Sequence, residues 1–409
     1  MARISIQTIA ELKNQTFSKI ENVYNFQYGQ FNINPDNGGA YPIYGANGII
    51  GGYTEFNAEK SVIIGHMGEN AGSVLWEEGK HFVTYNGTIA KPKNENELNA
   101  KFGYYWLVNL NIRKICAGSG QPFLSYNDLN ELPITFPPLP EQKKIASVLS
   151  ALDDKIALNK KMNQKLERMA KRLYDYWFVQ YDFPDKNGHP YKTTGGKMEY
   201  NPTLKREIPM GWKVKNVNDV TTSVRGVSYS SDDEKSKTDS NVVQILRGNN
   251  ISGSRFVFDS NDVFVSSDLV AEEQKISKFD IVMTMSSGSK EHVGKSALAL
   301  YDMPHSFGAF CSKFTPNAEA KYFIDCYLHS EMFIKYIRQT CSGTGINNLT
   351  NGHFDKAFFA WPTNDVLKSF NEKVSAIYEQ RGVIEREITR LTALRDKLLP
   401  LLMNGQVTL

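Results

Sequence analysis

The sequence predicts an α+β protein with two globular α/β domains joined by two long antiparallel coiled-coil helices, internally duplicated with pseudo-two-fold symmetry. Three observations support this fold class. The stretch CAGSGQPFLSYNDL, which begins at Cys116, returns as CSGTGINNLTNGHF at Cys341, 225 positions later. A long heptad pattern follows each copy, and short β-like runs precede each copy. An internal repeat with two copies indicates a duplication and determines the architecture.

Length and composition limit the class of protein. A chain of 409 residues is too long for one ordinary core, and 41% hydrophobic with 22% charged residues is typical of a soluble globular protein. Its four cysteines include no CxxC pair, which disfavours a disulfide framework and a zinc site. No apolar run reaches membrane-spanning length and the N-terminus lacks a signal-peptide core, so we expect a cytoplasmic protein without a membrane partner. The net charge of +3 is compatible with nucleic-acid binding without indicating it.

The predicted globular domains are residues 1–137 and 209–362. In the first, the runs SVIIG, HFVTY and TIAKP alternate with glycine and asparagine. In the second, VVQIL, RFVF, FDIVMTM and SALALY are the strand candidates. Residues 182–208, between the two halves, are rich in proline, glycine, asparagine and lysine, which predicts an irregular connector on the surface.

Two helical regions, residues 138–181 and 363–409, follow the domains. Their apolar residues recur in alternating steps of four and three, which is typical of a coiled-coil seam. The seam residues are Ile145, Leu149, Leu152, Ile156, Leu166 and Leu173 and, in the second copy, Phe370, Val374, Ile377, Ile384, Ile388, Leu391 and Leu398. A helix of about 37 residues would be roughly 55 Å long, so its seam needs a partner, and the duplicate helix is the obvious one. Alternatively, each helix packs only on its own domain.

Polar residues interrupt both seams. Asn159 and Asn163 in the first seam, and Arg381 and Arg395 in the second, would penalise wrong registers. Pro400 is expected to end or kink the second helix. If the helices pair antiparallel, the domains lie at opposite ends of a rigid bar. That symmetry imitates a homodimer, and homodimers that read DNA do so at two spaced half-sites.

The sequence contains few signs of catalysis. GSKEHVGKS, which begins at Gly288, has one residue too many for a phosphate-binding loop, and a β-like run follows it where a helix is needed. YNPTL, at Tyr200, lacks the rest of an adenine-methyltransferase motif, and no glycine-rich cofactor loop follows a first strand. The seven histidines form neither HExxH nor an i, i+4 pair. These patterns favour a protein that reads a partner molecule over an enzyme, and they predict no catalytic or metal-binding residue.

Several segments resemble the specificity subunits of type I restriction–modification systems. The segment from Leu132 to Phe178, which contains PPLPEQKKIASVLS, resembles the first conserved region of that family. YPIYGANGIIGGYTEF resembles the opening of a target recognition domain, and the stretch from Gln180 to Trp212 resembles the family's connector. LTALRDKLLPLLMNGQV resembles the second conserved region, although PTNDV replaces PPLPE before it.

The resemblance implies a non-catalytic subunit with two target recognition domains, each reading one half of a bipartite double-stranded DNA target. It implies two methyltransferase subunits as partners, with nuclease/translocase subunits joining for cleavage in defence against phage. It also implies that the helices act as a spacer between the half-sites. S-adenosylmethionine, ATP and magnesium are then expected in the partner subunits, and no cofactor is expected in this chain.

Candidate DNA contacts come from polar and basic residues in glycine-rich loops, because the strands fill the core. Arginine pairs with guanine and asparagine or glutamine with adenine, whereas lysine more often contacts phosphate. The candidates in the first domain are Tyr44, Asn47, His66, Glu69, Asn70, Ser119 and Gln121. Those in the second are Arg225, Arg247, Asn249, Ser289, Lys290, His292, Lys295, Asn347 and Asn348.

Two other classes of protein remain open. A duplicated coiled-coil scaffold for protein interaction would have the same architecture but no affinity for duplex DNA. A fused restriction enzyme would need methyltransferase motifs, and their absence from the sequence counts against it.

Overall fold

The computed structural model of the chain describes residues 16–31, 34–118, 120–258, 262–289, 291–340, 347–407 and 409. These residues form two compact units. Unit 1 comprises the described parts of residues 1–157 and 389–409, and unit 2 comprises those of residues 158–388. Each unit contains strands, short helices and part of both long helices, which confirms the predicted α+β class with two domains and long helices. The domain boundaries themselves remain a prediction.

Unit 1 is built on one mixed sheet with the strand order β2-β7-β5-β6-β3-β4. Its central strand β5 contains Val62, Ile63 and Ile64, all of which are fully buried, as expected for an apolar run covered on both faces. A second ladder pairs β1 with β8. The strands are β1 (Thr16–Lys19), β2 (Tyr24–Tyr28), β3 (Tyr41–Gly45), β4 (Gly48–Tyr53), β5 (Ala58–Gly65), β6 (Val74–Val83), β7 (Gly87–Pro92) and β8 (Pro133–Phe136), and the short helices are Ile20–Val23, Ala100–Leu110 and Tyr126–Asn130.

Unit 2 contains two four-stranded sheets, with the orders β12-β22-β18-β20 and β13-β17-β14-β21. Its core includes the central strand β18 and an aromatic cluster around Phe323. The strands are β9 (Met198–Asn201), β10 (Arg206–Pro209), β11 (Lys213–Asn216), β12 (Thr221–Arg225), β13 (Glu234–Lys235), β14 (Val242–Leu246), β15 (Ile251–Ser252), β16 (Arg255–Phe256), β17 (Val263–Ser266), β18 (Ile281–Thr284), β19 (Ser286–Ser287), β20 (Ser296–Leu298), β21 (His305–Phe307), β22 (Cys311–Pro316), β23 (Asn347–Asn348) and β24 (Phe358–Trp361). The short α-helices are Lys321–Leu328, Glu331–Thr340 and Asn351–Phe354.

The sequence repeat is also a repeat of secondary structure. Ser125 and Thr350 each form a capping box that begins a short helix, and β8 or β24 follows. The first long helix is Leu139–Tyr174 and continues as a π-helical turn over Asp175–Val179. The second long helix is Asn364–Met403. It begins at the position that the offset of 225 predicts, even though PTNDV replaces PPLPE there.

The long helices run antiparallel to each other within each unit. In unit 2, Asn159 Nδ2 donates to Glu387 Oε2 at 2.9 Å, and Asn163 Nδ2 donates to Glu385 Oε2 at 2.7 Å. In unit 1, Arg395 Nη1 donates to Asp153 Oδ1 at 3.0 Å. The polar residues that interrupt the seams are thus paired across the two helices, which fits their predicted role in setting the register.

Each of the predicted seam residues is buried or half-buried. Some of them also pack on a globular core, so the alternative packing on the neighbouring domain occurs together with helix pairing. Ile145 and Leu149 belong to the core of unit 1, and Phe370 and Val374 belong to the core of unit 2.

Two features differ from the prediction. Of the two expectations for Pro400, an end of the second helix is wrong, since the helix continues to Met403; a kink stays a prediction. The connector is irregular only in part: its end forms the hairpin β9–β10, and Phe183 near its start stacks on Trp212 at 5.2 Å between ring centroids.

A buried ionic cluster lies beside the helix pair in unit 2. Asp325 Oδ2 accepts a hydrogen bond from the Tyr378 hydroxyl at 2.6 Å and lies 3.8 Å from Arg381 Nη1. Nδ1 of His329 lies 3.3 Å from Asp325 Oδ1. Burial lowers the pKa of His329, but hydrogen bonding and attraction to Asp325 outweigh it and bring the pKa to about 9. Both partners are therefore charged at neutral pH.

We expect Asp325→Ala to lower the free energy of unfolding by about 3–5 kcal/mol, because it leaves the buried charge of Arg381 without this partner. Chemical denaturation of the full-length chain measures the change. Glu379→Ala is the matched control, since Glu379 pairs with Lys278 on the surface and such pairs contribute at most about 1 kcal/mol. Equal effects of the two substitutions would contradict a stabilising role for the buried cluster.

Candidate functional site

Two groups of loops, one in each unit, are held by the same backbone hydrogen bonds. In unit 1, the His66 amide donates to the Asn86 carbonyl at 2.8 Å, and the Leu124 amide donates to the His66 carbonyl at 2.9 Å. In unit 2, Met285 takes the place of His66: its amide donates to the Phe310 carbonyl at 2.8 Å, and its carbonyl accepts from the Leu349 amide at 2.7 Å. We call residues 47–50, 66–70, 85–86 and 120–124 site 1. Residues 223–225, 285–289, 309–312 and 347–351 form site 2.

The strands beneath the two sites also correspond. The Thr84 amide donates to the Tyr44 carbonyl at 2.9 Å, and the Gly308 amide donates to the Leu246 carbonyl at the same distance. Gly29 packs directly against the backbone at Thr84, and Gly226 packs directly against the backbone at Gly308. A Cβ at Gly29 would lie 2.0 Å from the Thr84 oxygen, and one at Gly226 would lie 2.2 Å from the Gly308 oxygen. Glycine is therefore required at both positions, and the two sites share one backbone frame.

Site 1 brings several predicted residues together. Asn70 Nδ2 donates to Asn47 Oδ1 at 2.6 Å, which joins the β3–β4 turn to the loop after β5. The Gly68 amide donates to the Pro122 carbonyl at 2.9 Å, so the loop that contains Gln121 lies beside them. Glu69 and Gln121 are exposed. The amide groups of Asn47, Asn70 and Gln121 thus lie together at this surface, and they can both donate and accept hydrogen bonds.

Tyr44 and His66, which were also predicted as contacts, lie inside unit 1. Each side chain is 7% exposed. The Tyr44 hydroxyl donates to Glu77 Oε2 at 2.6 Å, and burial together with this carboxylate raises the pKa of Tyr44. His66 Nδ1 lies 2.7 Å from the Leu124 carbonyl, which only accepts, so Nδ1 carries the proton. Both side chains thus support the frame of site 1 beneath its surface.

Site 2 contains a cleft that Arg225 and Asn348 line. Arg225 is the last residue of β12, and its Nε donates to the Ala309 carbonyl at 3.3 Å. Asn348 is exposed and pairs with Ser286 across the β19–β23 ladder. Hydroxyl and amide side chains complete much of the lining, namely Ser223, Ser286, Ser312, Thr350 and Asn351. No carboxylate lines this cleft in the part of the chain that the structure describes.

The other described candidates of unit 2 lie on loops and are not part of the lining of this cleft. Arg247 is half-buried after β14, while Asn249 and Ser289 are exposed. Asn249 follows Leu246 at the same spacing at which Asn47 follows Tyr44, so the two asparagines occupy corresponding turns. His292 Nδ1 and Lys295 Nζ lie 3.2 Å apart, and Lys295 lines a separate cleft with His329.

Three predicted residues have limited or no description. Ser119 and Lys290 lie outside the described residues. Asn347 is part of β23, where its backbone pairs with Ser287.

Sequence reasoning missed the serines of site 2 and also Phe310. The serines lie within short strands, where alternation alone does not reveal which face is open. Phe310 belongs to a Gly-Ala-Phe tripeptide between β21 and β22. The sequence signal for Phe310 was an aromatic residue that directly follows a glycine and a small residue in a loop between strands.

The described residues contain no group of three or more His, Cys, Asp or Glu side chains placed to hold a metal ion. Within the same residues, no helix combines the length and apolar character that crossing a membrane requires.

A family model described as "Type I restriction modification DNA specificity domain" matches residues 13–168. The StySPI specificity subunit of a type I restriction enzyme from Salmonella potsdam is 34% identical to this chain over 208 residues, which cover 49% of this chain and 44% of that subunit. The MjaIX specificity subunit from Methanocaldococcus jannaschii is 27% identical over 304 residues, covering 72% of this chain and 65% of the relative. The matched segments thus span less than two thirds of these relatives.

A solved structure is similar over nearly the whole chain. It is the crystal structure of the S subunit of a type I restriction–modification system from M. genitalium. The TM-score is 0.55 with 17% sequence identity, and the match covers 95% of this chain and 96% of the other. At that identity the similarity concerns the fold.

Proposed function

Because this chain belongs to the family of type I restriction–modification specificity subunits, we propose that it selects the DNA sequence on which such a complex acts. Site 1 reads one half of a bipartite target and site 2 reads the other half. The observation that supports this most directly is that one backbone frame presents different side chains in the two units. Asn86, for example, occupies the place in site 1 that Phe310 occupies in site 2.

The chemistry of each site suits the edges of bases. Asn47, Asn70 and Gln121 in site 1 have the paired donor and acceptor that match adenine. Arg225 in site 2 has the donor fork that matches guanine, with serine hydroxyls beside it. The lack of carboxylates among the described residues lining the site 2 cleft favours an anionic partner. Lysines elsewhere in unit 2, such as Lys295, are suited to phosphate contacts.

The catalytic steps belong to partner subunits in this proposal. Two methyltransferase subunits bind the chain and methylate adenine with S-adenosylmethionine, and nuclease/translocase subunits join them to cleave DNA with ATP and magnesium. This chain then supplies sequence choice without catalysis, in the cytoplasm where the DNA lies. The alternative of a scaffold without DNA specificity has no support in the comparisons.

We further propose that the long helices set the number of unread base pairs between the half-sites. Their antiparallel pairing within each unit, with asparagine–glutamate bonds in unit 2 and an arginine–aspartate bond in unit 1, supports a stiff spacer. A stiff spacer gives one separation, whereas a flexible tether would accept several.

Mapping of methylated adenine in cells tests the proposed function. The partner methyltransferase is expressed with this chain, without it, or with an Arg225→Ala variant. We expect one bipartite methylated motif with the wild-type chain and none without it. Arg225→Ala should weaken or relax the choice of base at one position of one half, since one arginine–guanine pair contributes about 1–3 kcal/mol of discrimination. The same motif appearing without the chain would contradict the proposal.

A further inference from the structure

One exposed aromatic side chain in unit 2 has no evident structural role. Phe310 is 69% exposed, a larger fraction than for any other large hydrophobic side chain that the structure describes. Full burial of a phenylalanine contributes roughly 1.5–3 kcal/mol, and Phe310 forgoes most of that, so its ring contributes little to the stability of the fold. Single exposed apolar residues are common, so exposure alone does not indicate a function. The position of Phe310 in the fold has to indicate it.

The backbone at Phe310 is held firmly. Its carbonyl accepts from the amides of Met285 at 2.8 Å and Ser286 at 3.2 Å. On either side of it, the Ala309 amide donates to the Val227 carbonyl at 2.9 Å, and the Cys311 amide donates to the Gly308 carbonyl at 2.8 Å. The backbone that carries the ring is therefore fixed. Little backbone conformational entropy would be lost when a partner covers the ring.

The ring lines the same cleft as the predicted base-reading groups. Arg225 and Asn348 line that cleft too, and Arg225 donates to the carbonyl of Ala309, the residue before Phe310. A phenylalanine ring offers no hydrogen bond, so its contribution to binding must be apolar. The apolar surfaces that duplex DNA offers are the methyl group of thymine in the major groove and, where a side chain inserts between base pairs, the faces of the bases.

We propose that Phe310 is a DNA-contacting residue that packs against the apolar surface of one base in the half-site read by unit 2. The inference rests on the proposed function and adds a contact that has no counterpart at the corresponding position of site 1. There the residue whose carbonyl accepts from the His66 amide, as that of Phe310 accepts from the Met285 amide, is Asn86, whose side-chain amide suits hydrogen bonding. The two halves of the target are therefore read by different kinds of interaction at corresponding positions.

The test uses the complex of this chain with its methyltransferase subunits and a labelled duplex that carries the mapped target. Binding is measured by fluorescence anisotropy against a scrambled duplex over a range of salt concentrations. We expect Phe310→Ala to weaken target binding about 5- to 150-fold, as loss of an aromatic–base contact does. The slope of affinity against salt should not change, because no phosphate contact is lost. Phe310→Trp should retain most of the affinity.

Tyr200→Ala is the matched control, because Tyr200 is 66% exposed on the hairpin β9–β10 and does not line the cleft. It should bind like the wild type. Replacing each thymine of the half-site by uracil separates the two apolar surfaces. A contact with the thymine methyl predicts weaker binding of the wild type to one uracil duplex, with no further loss for Phe310→Ala. A contact with the face of the base predicts unchanged binding.

The outcomes separate the two proposals. If the wild-type complex does not prefer its target over the scrambled duplex, the proposed function and this inference are both wrong. If it prefers the target and Phe310→Ala binds within twofold of the wild type, only the inference about Phe310 is wrong. A change in the salt slope with Phe310→Ala would also overturn the inference, since it would indicate a loss of phosphate contacts.

Discussion

Inserting four residues into both long helices, after Asn159 in the first and after Glu387 in the second, should lengthen the gap between the two methylated half-sites by one to two base pairs. Four helical residues add about 6 Å, and base pairs are spaced about 3.4 Å apart. Four residues are also close to one turn, so the seams nearly keep their phase. Both half-sites should be unchanged, because the insertions lie outside site 1 and site 2.

The insertion points are chosen from the pairing of the helices. On one side of them Asn163 pairs with Glu385 in unit 2, and on the other side Asp153 pairs with Arg395 in unit 1. Paired insertions leave both contacts in register, whereas the Asn159–Glu387 contact lies at the insertion itself. Methylation mapping reads the new gap directly.

Insertion of a single residue at the same two points is the control. One residue turns everything beyond it by about 100°, so the seams no longer face each other and methylation should be lost. A four-residue variant that methylates the original motif with its original gap would show that the helices do not set the distance.

The helices and the phase of their seams were predictable because the signal repeats. A heptad pattern averages over many positions, and the same phase returned at an offset of 225, which predicted the second helical region at residues 363–409; the replacement of PPLPE by PTNDV left its first residue open, and the helix begins at Asn364. The pairing of Asn163 with Glu385 could not be derived, because seam periodicity does not identify the partner of an individual side chain.

The sites were less predictable because their geometry depends on contacts between distant segments. His66 and Leu124 are 58 positions apart, and their bond fixes which loop residues face outward. Loop composition therefore selected Asn47, Asn70 and Arg225, which lie in these loops, but also Tyr44 and His66, which are buried in the unit. Phe310 was missed because residue type alone suggests a core position for phenylalanine.

Exchange of one whole recognition segment should have the largest effect of all on the choice of target. Lys213 and Trp361 are paired residues on β11 and β24, so the segment 213–361 begins and ends at one place in unit 2. Replacing this segment by that of a relative with a different target exchanges both strands of the ladder together and leaves the long helices unchanged. The half-site read by unit 2 should then change completely, because all the side chains of site 2 change.

The ladder β1–β8 provides the matched exchange in unit 1, since Thr16 and Phe136 are also paired. Replacing residues 16–136 should change the other half of the motif and leave the half read by unit 2 intact. The two exchanges thus act as controls for each other, with the long helices kept constant.

The central claim is that two separate sites in one chain each choose one half of the DNA target. Genome-wide mapping of methylated adenine in cells that carry the partner methyltransferase and the 213–361 exchange tests it most directly. We predict a motif with one half replaced, the other half retained and the gap between them unchanged. A motif in which both halves change, or in which neither changes, would contradict independent reading by the two units.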